Sequence, residues 1–413
     1  MFLIPRPPRR NGWIAATALV GLSCGPALSQ NFSMQVANPD PLGLGSFIQG
    51  GPDLGFDLEG SIKGDIDYGL ELDTVYNSNF FLTETNEESE LSFFLTPWFR
   101  YFSDPEGGAN FSITANYDPI IRVYTENSDL NDIDQSGDIT LKLKGGKTEI
   151  SIFGRYDELS GTDRLTGSFV DGTLFTGGFR ATRQIASRTS LVGGWSAGIS
   201  EYADNANEGA EVYTSYFGAM WAASPRLSVG PTLRYTVSES DNIGTRDAWA
   251  LLFDARYRVG EKIWLEASVG PEFAQTSGGV SDEDSLGITG NFTTRYLISS
   301  RWAWTNTIRS ATVPAPSETN YLVNDVSLTS ALHRQYVRGT LSGGIEYSFS
   351  EYEDVGTVAV SRSNENTFGV FMQYRRPLFS DRVAFDGLIR YSFNEGLVDW
   401  DQLFVSAGFN VSF

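Results

Sequence analysis

Reactive side chains are scarce in this sequence: its 413 residues include one cysteine, one histidine and four methionines. A single cysteine cannot supply a disulfide framework, so the fold must be held by other means. The only histidine, His333, lies beside Arg334 at a predicted turn with no serine or cysteine constellation around it. It reads as an exposed polar residue, and no catalytic triad can be assembled on it. Apart from the leader, no stretch approaches the roughly 18 apolar residues that mark a membrane-spanning helix. If the chain lives in a membrane, only a closed barrel satisfies its backbone. Basic charge is short too, with 30 Lys and Arg against 51 Asp and Glu and a net charge of −21, which argues against nucleic acid as a partner. Neither an enzyme nor a bound cofactor is expected.

Residues 1–29 read as a Sec signal peptide, with Arg6, Arg9 and Arg10 before an apolar stretch over 14–22 and a small-residue cleavage site at Ala27-Leu28-Ser29. Cys24 falls inside it, and Gly21-Leu22-Ser23 is a poor lipobox. Residues 30–64, rich in Gly, Pro and Asp, do not alternate and read as a periplasmic extension or plug-like segment.

Residues 65–413 repeat one pattern, segments of alternating apolar and polar character separated by turns, which is the period of a strand and not of a helix. Over 227–238, Leu227, Val229, Pro231, Leu233, Tyr235 and Val237 fall on one face, and Ser228, Gly230, Thr232, Arg234, Thr236 and Ser238 on the other. The count is 18 such segments, from 66–77 to 402–413, with 110–125 as the third and 137–144 as the fourth. The expected fold is all-β: a transmembrane antiparallel up-and-down barrel.

The connections are expected to alternate strictly. Short ones such as Gly145-Gly146 and Gly260-Glu261 are flanked by bases including Lys144, Arg188 and Arg226, and long acidic ones include 84–90, 126–134 and 351–354. Bacterial barrels have short periplasmic turns and long extracellular loops, which puts both termini in the periplasm of a Gram-negative cell. The acidic rim would meet lipopolysaccharide phosphates through divalent cations. The last segment ends on Phe409, Val411 and Phe413 at alternate positions, resembling the C-terminal signal read by the outer-membrane assembly machinery.

With the apolar phase in lipid, charges of both signs face the lumen. The basic lining candidates include Arg100, Arg122, Lys142, Arg155, Arg180, Arg234, Arg256, Arg295, Arg309 and Arg390; the acidic ones are Glu71, Asp118, Asp254, Glu266, Asp325, Glu346 and Asp386. Trp98, Tyr124 and Trp264 share that phase and could stack on sugar rings or pack against a plug. Asp132, Asp134 and Ser136 resemble the start of a calcium loop, but its twelfth position is Leu143 and not a bidentate Glu, so they are only a weak metal candidate.

Tyr76-Asn77-Ser78-Asn79-Phe80-Phe81-Leu82, Glu88-Ser89-Glu90-Leu91, the Thr96-Pro97 strand and Ala115-Asn116-Tyr117 with Tyr124 resemble the bacterial beta-barrel porin 2 family. The resemblance covers about 69–131, and Trp98 departs from it where a small residue is commoner. It implies an outer-membrane channel associated with exopolysaccharide export, partnered by periplasmic polysaccharide-export components, and carries over no catalytic residue. The reading is thus a channel for hydrophilic solute or polymer, with export the first version and a diffusion porin for nutrient uptake the alternative. A barrel enzyme or a structural or adhesive protein is the third class.

Overall fold

The fold is seen in a computed structural model that describes residues 66–103, 110–162, 169–202, 209–240, 244–277, 283–314, 321–354, 364–378, 382–396 and 398–413. The expected leader (1–29) and extension (30–64) lie outside the described residues.

Twenty strand segments make one closed antiparallel barrel of 18 staves. The first segments are β1 (Ile66–Asn77), β2 (Glu90–Phe102), β3 (Phe111–Tyr117), β4 (Ile120–Tyr124), β5 (Asp132–Asp134), β6 (Ser136–Gly145) and β7 (Thr148–Thr162). They continue as β8 (Phe169–Ala186), β9 (Thr189–Tyr202), β10 (Ala210–Ser224), β11 (Leu227–Ser240), β12 (Gly244–Val259) and β13 (Ile263–Ser277). The rest are β14 (Glu283–Ser299), β15 (Trp302–Pro314), β16 (Tyr321–Tyr336), β17 (Gly339–Asp354), β18 (Glu365–Pro377), β19 (Val383–Glu395) and β20 (Trp400–Ser412). Neighbours in sequence pair, and β1 pairs with β20 from Gly69 opposite Ser412 to Asn77 opposite Phe404. That last pairing removes both sheet edges.

Two staves are broken, each for a local reason. β3 and β4 both pair with β2 and interrupt at Asp118-Pro119, where proline has no N–H for the ladder. β5 and β6 interrupt at Gln135, whose backbone N–H is taken by the Glu158 carboxylate at 2.9 Å. The third segment read from the sequence (110–125) is therefore one stave in two pieces; the fourth (137–144) is β6 alone, and its stave begins earlier, with β5 inside the expected acidic loop 126–134.

The expected strict alternation of connections does not hold. Ser240 and Gly244 are register partners, so 241–243, at the long-loop end, is as short as a turn. At the opposite end, β2 stops at Phe102 and β3 starts at Phe111, a longer link than its neighbours. Elsewhere the short-turn end is tight: Gly146 (φ +52°) and Gly260 (φ +69°) take the left-handed conformation that lets a two-stranded turn close.

The phase read from the sequence is the phase of the wall. On β11 and β12, Thr232, Arg234, Ala250, Leu252 and Asp254 point inward and are buried, whereas Leu233, Leu251 and Phe253 point outward, Phe253 with 59 % of its surface exposed. The same split recurs on β10, with Tyr216 inside and Phe217 outside. An apolar outer face around a closed sheet is the surface that hydrocarbon requires. Phe253→Arg should lower folding stability in vesicles by about 2–4 kcal/mol, read as the urea midpoint. The inward Thr307→Arg should shift that midpoint much less, and equal losses would contradict the two-faced wall.

Candidate functional site

The inner face carries charges paired between adjacent staves or across one intervening stave. Arg234 (β11) donates through Nη2 to Glu272 Oε2 (β13) at 2.9 Å and to the Thr289 hydroxyl (β14) at 3.0 Å. Arg246 (β12) donates to the other oxygen, Glu272 Oε1, at 2.9 Å. One carboxylate thus ties three staves together, because side chains two residues apart share a face and neighbouring strands bring that face into reach. Asp254 accepts from the Thr232 hydroxyl at 2.5 Å and is fully buried. Arg390 (β19) pairs with Glu346 (β17), and Arg375 (β18) lies 3.8 Å from Asp386 (β19).

Other lining candidates sit in the same phase. Arg256 is directly opposite Glu266, and Arg309 lies between Asn291 and Ser327. Asp118 sits at the stave break among Arg100, Asp138, Arg155 and Asp157, with Arg155 bridged to Asp157 at 2.6 Å. Glu71 accepts from Asn410 Nδ2 at 3.2 Å across the closing seam. Arg180, on β8, has Ser151 and Gly194 as register neighbours, and among the described residues no carboxylate pairs with it. Among the described residues it is a wall cation without a counter-charge.

The three inward aromatics differ in what already covers them. Trp98 lies on Gly69: a Cβ there would come within 2.3 Å of its ring, and the Arg100 guanidinium sits 4.8 Å from its centroid. Tyr124 is packed inside an aromatic cluster with Phe80 and Phe94 and offers no open face. Sugar stacking on Tyr124 is thus ruled out in this conformation by packing. Trp264 has guanidiniums of Arg258 and Arg295 at 5.4 and 5.6 Å.

One weak candidate gains no support and one expectation fails. Asp132, Asp134 and Ser136 do not converge on a metal: Asp134 is bound to Arg122 at 2.6 Å and accepts from the Ser160 hydroxyl, while Ser136 donates to Asp157. Their alternate spacing is that of a strand face. His333 is not exposed, because β16 runs on to Tyr336 and turns the ring inward, 3.0 Å from the Thr305 hydroxyl and 2.8 Å from that of Ser342. Phe409, Val411 and Phe413 face outward on the closing stave, where the Phe413 ring stacks on Tyr68.

The feature that sequence reasoning missed is the loop between β1 and β2. Residues 78–89 fold into the barrel mouth, where Phe80 packs against Tyr124, Phe81 and Phe169, within a cluster that includes Val75, Phe94 and Phe404. Asn79 pins the loop. Its side-chain amide donates to the carbonyls of Thr83 (2.8 Å) and Asp401 (3.0 Å), and its Oδ1 accepts from the Thr83 N–H at 3.0 Å. Gln402 donates to the Asn79 carbonyl at 3.0 Å and Thr162 to that of Phe80 at 2.6 Å. A second loop is tied down by Glu90, whose carboxylate accepts from the backbone N–H groups of Thr125, Glu126 and Asn127. Phe80-Phe81-Leu82, an apolar triplet in an acidic loop, was the available signal.

No family model matches the chain, and no curated protein does. Neither comparison supports the resemblance to the beta-barrel porin 2 family; of the residues that suggested it, Asn79 and Phe80 anchor the inward loop. Among solved structures, the outer membrane protein OpdK of Pseudomonas aeruginosa is 16% identical at a TM-score of 0.48, covering 84% of this chain and 99% of its own. OccAB3 of Acinetobacter baumannii gives 13% and 0.48 over 84% and 100%. A BenF-like porin of Pseudomonas fluorescens Pf-5 gives 12% and 0.47 over 86% and 100%. The barrel itself rests on the chain's own closed strand pairing.

Proposed function

We propose that this chain is a channel of the bacterial outer membrane through which small hydrophilic solutes diffuse, the uptake reading and not polymer export. The observation that carries it is the mouth. A wall of 18 staves encloses room for water, and the loop at 78–89 narrows that space while bonded to the β7 end and to β20. A rod of polysaccharide needs a clear bore; a small solute passes beside a loop. The mixed-sign wall offers hydrogen bonds to polar solutes without strong exclusion of either charge.

In this reading the short turns and both termini face the periplasm, the acidic loops meet lipopolysaccharide through divalent cations, and the terminal Phe413 stave is what the assembly machinery reads. His333, with both ring nitrogens engaged by hydroxyls, serves the wall and not catalysis. The test is ion selectivity. Arg180→Glu replaces the uncompensated cation by an anion and should move the reversal potential in a salt gradient toward cation preference. An unchanged potential with normal folding would remove Arg180 from the conduction path.

A further inference from the structure

The outward face at the short-turn end of β15–β18 holds a cluster that the channel does not use. The Arg334 guanidinium lies 5.0 Å from the Trp302 ring centroid and 4.6 Å from that of Tyr336, so aromatic faces hold it on two sides. Trp302 and Arg334 are direct register partners, one step beyond the exposed apolar pair Trp304 and Leu332. Toward the turn, the apolar level of Trp304 and Leu332 gives way to one that holds a tryptophan and a cation side by side. That order marks the boundary between hydrocarbon and headgroups.

Among the described residues of the segments around the cluster, charge has one sign. Segments 296–304, 332–342 and 371–378 contain Arg301, Arg334, Arg338 and Arg376 exposed, and no acidic residue. Arg376 lies against the turn that carries Arg338, since a Cβ on Gly339 would sit 3.4 Å from its Cα. Among the described residues, no carboxylate pairs with Arg334. Stacking fixes the plane of a guanidinium and leaves its N–H edge pointing outward, the geometry that grips a phosphate through two parallel hydrogen bonds.

We infer that Arg334, held by Trp302 and Tyr336 and flanked by Arg301, Arg338 and Arg376, binds the phosphodiester headgroup of an anionic phospholipid in the leaflet beside the short turns. The inference rests on the membrane-spanning reading above. Lipid is favoured over a soluble phosphate because the cluster faces outward at the end of the apolar band, where a headgroup is already delivered by its acyl chains. Juxtamembrane cations draw anionic lipid in the same way.

The experiment is native mass spectrometry of the folded protein in detergent, with phosphatidylglycerol or phosphatidylcholine added. The intact protein should retain phosphatidylglycerol preferentially, and Arg334→Gln should cut that retention about fivefold. Trp302→Leu should weaken it in the same direction by freeing the guanidinium. Arg226→Gln, an exposed turn cation on another sector, should leave it unchanged. Equal retention by Arg334→Gln, an equal loss in Arg226→Gln, or displacement of the lipid by millimolar inorganic phosphate would each overturn the site. Conductance in pure phosphatidylcholine bilayers keeps the two readings apart. Lipid selectivity lost from a conducting protein defeats only this inference, whereas a folded protein that never conducts defeats the channel.

Discussion

Asn79→Ala combined with Phe80→Ala should raise the single-channel conductance about twofold and make the open level noisier, as expected when a loop leaves an aqueous bore of this strand number. Asn79 makes four side-chain hydrogen bonds that hold the loop to itself and to β20, the one from the Thr83 hydroxyl long at 3.5 Å, and the three shorter ones are each worth about 1 kcal/mol net. Removing the buried Phe80 ring costs roughly 3–5 kcal/mol at a packed site. The two effects couple, since the residues are adjacent and share one anchor. Even the smaller sum turns a fixed loop into one that leaves the mouth often. The staves do not depend on it, so heat-modifiable migration of the folded barrel should persist. A double variant that folds and conducts as the parent does would place residues 78–89 off the conduction path.

Glu272→Ala should destabilise the barrel by about 3 kcal/mol, the lower end of what removing one partner of a buried pair costs. This carboxylate is the shared acceptor of Arg234 and Arg246, and its loss leaves two guanidiniums facing each other on neighbouring staves. Water in the bore softens the penalty but does not supply a counter-charge. The expected readout is a lower urea midpoint for refolding into vesicles, together with a reversal potential moved toward anions. Thr289→Ala, which removes only one neutral acceptor of Arg234, should cost about 1 kcal/mol. If Glu272→Ala costs no more than that, the pairing across three staves contributes little.

Much of the wall was legible in the sequence because its information is periodic. A one-residue slip would turn Arg234 and Asp254 into hydrocarbon and Leu233 and Phe253 into the bore, so alternation alone fixed their phase, whereas Arg246 and Glu272, on the same face, were not among the expected lining residues. The stave count followed for the same reason. What stayed hidden depends on contacts that exist only after closure. The loop at 78–89 is anchored to Asp401 and Gln402, more than three hundred residues away in sequence, and no local pattern encodes that meeting. The burial of Tyr124 follows from the same event, because the Phe80 ring covers it. His333 was misplaced by a smaller error: the strand runs through the predicted turn as far as Tyr336, and that is enough to carry a side chain from rim to wall. Asp132, Asp134 and Ser136 show the converse fault, where strand spacing mimics ligand spacing.

Liposome swelling with neutral sugars of graded size tests the central claim most directly. Vesicles holding the folded protein should swell rapidly in monosaccharides, more slowly as the solute grows, and not at all in long oligosaccharides that the loop-narrowed mouth excludes. Folded protein that admits no monosaccharide, or admits long chains as readily as short ones, would contradict the account.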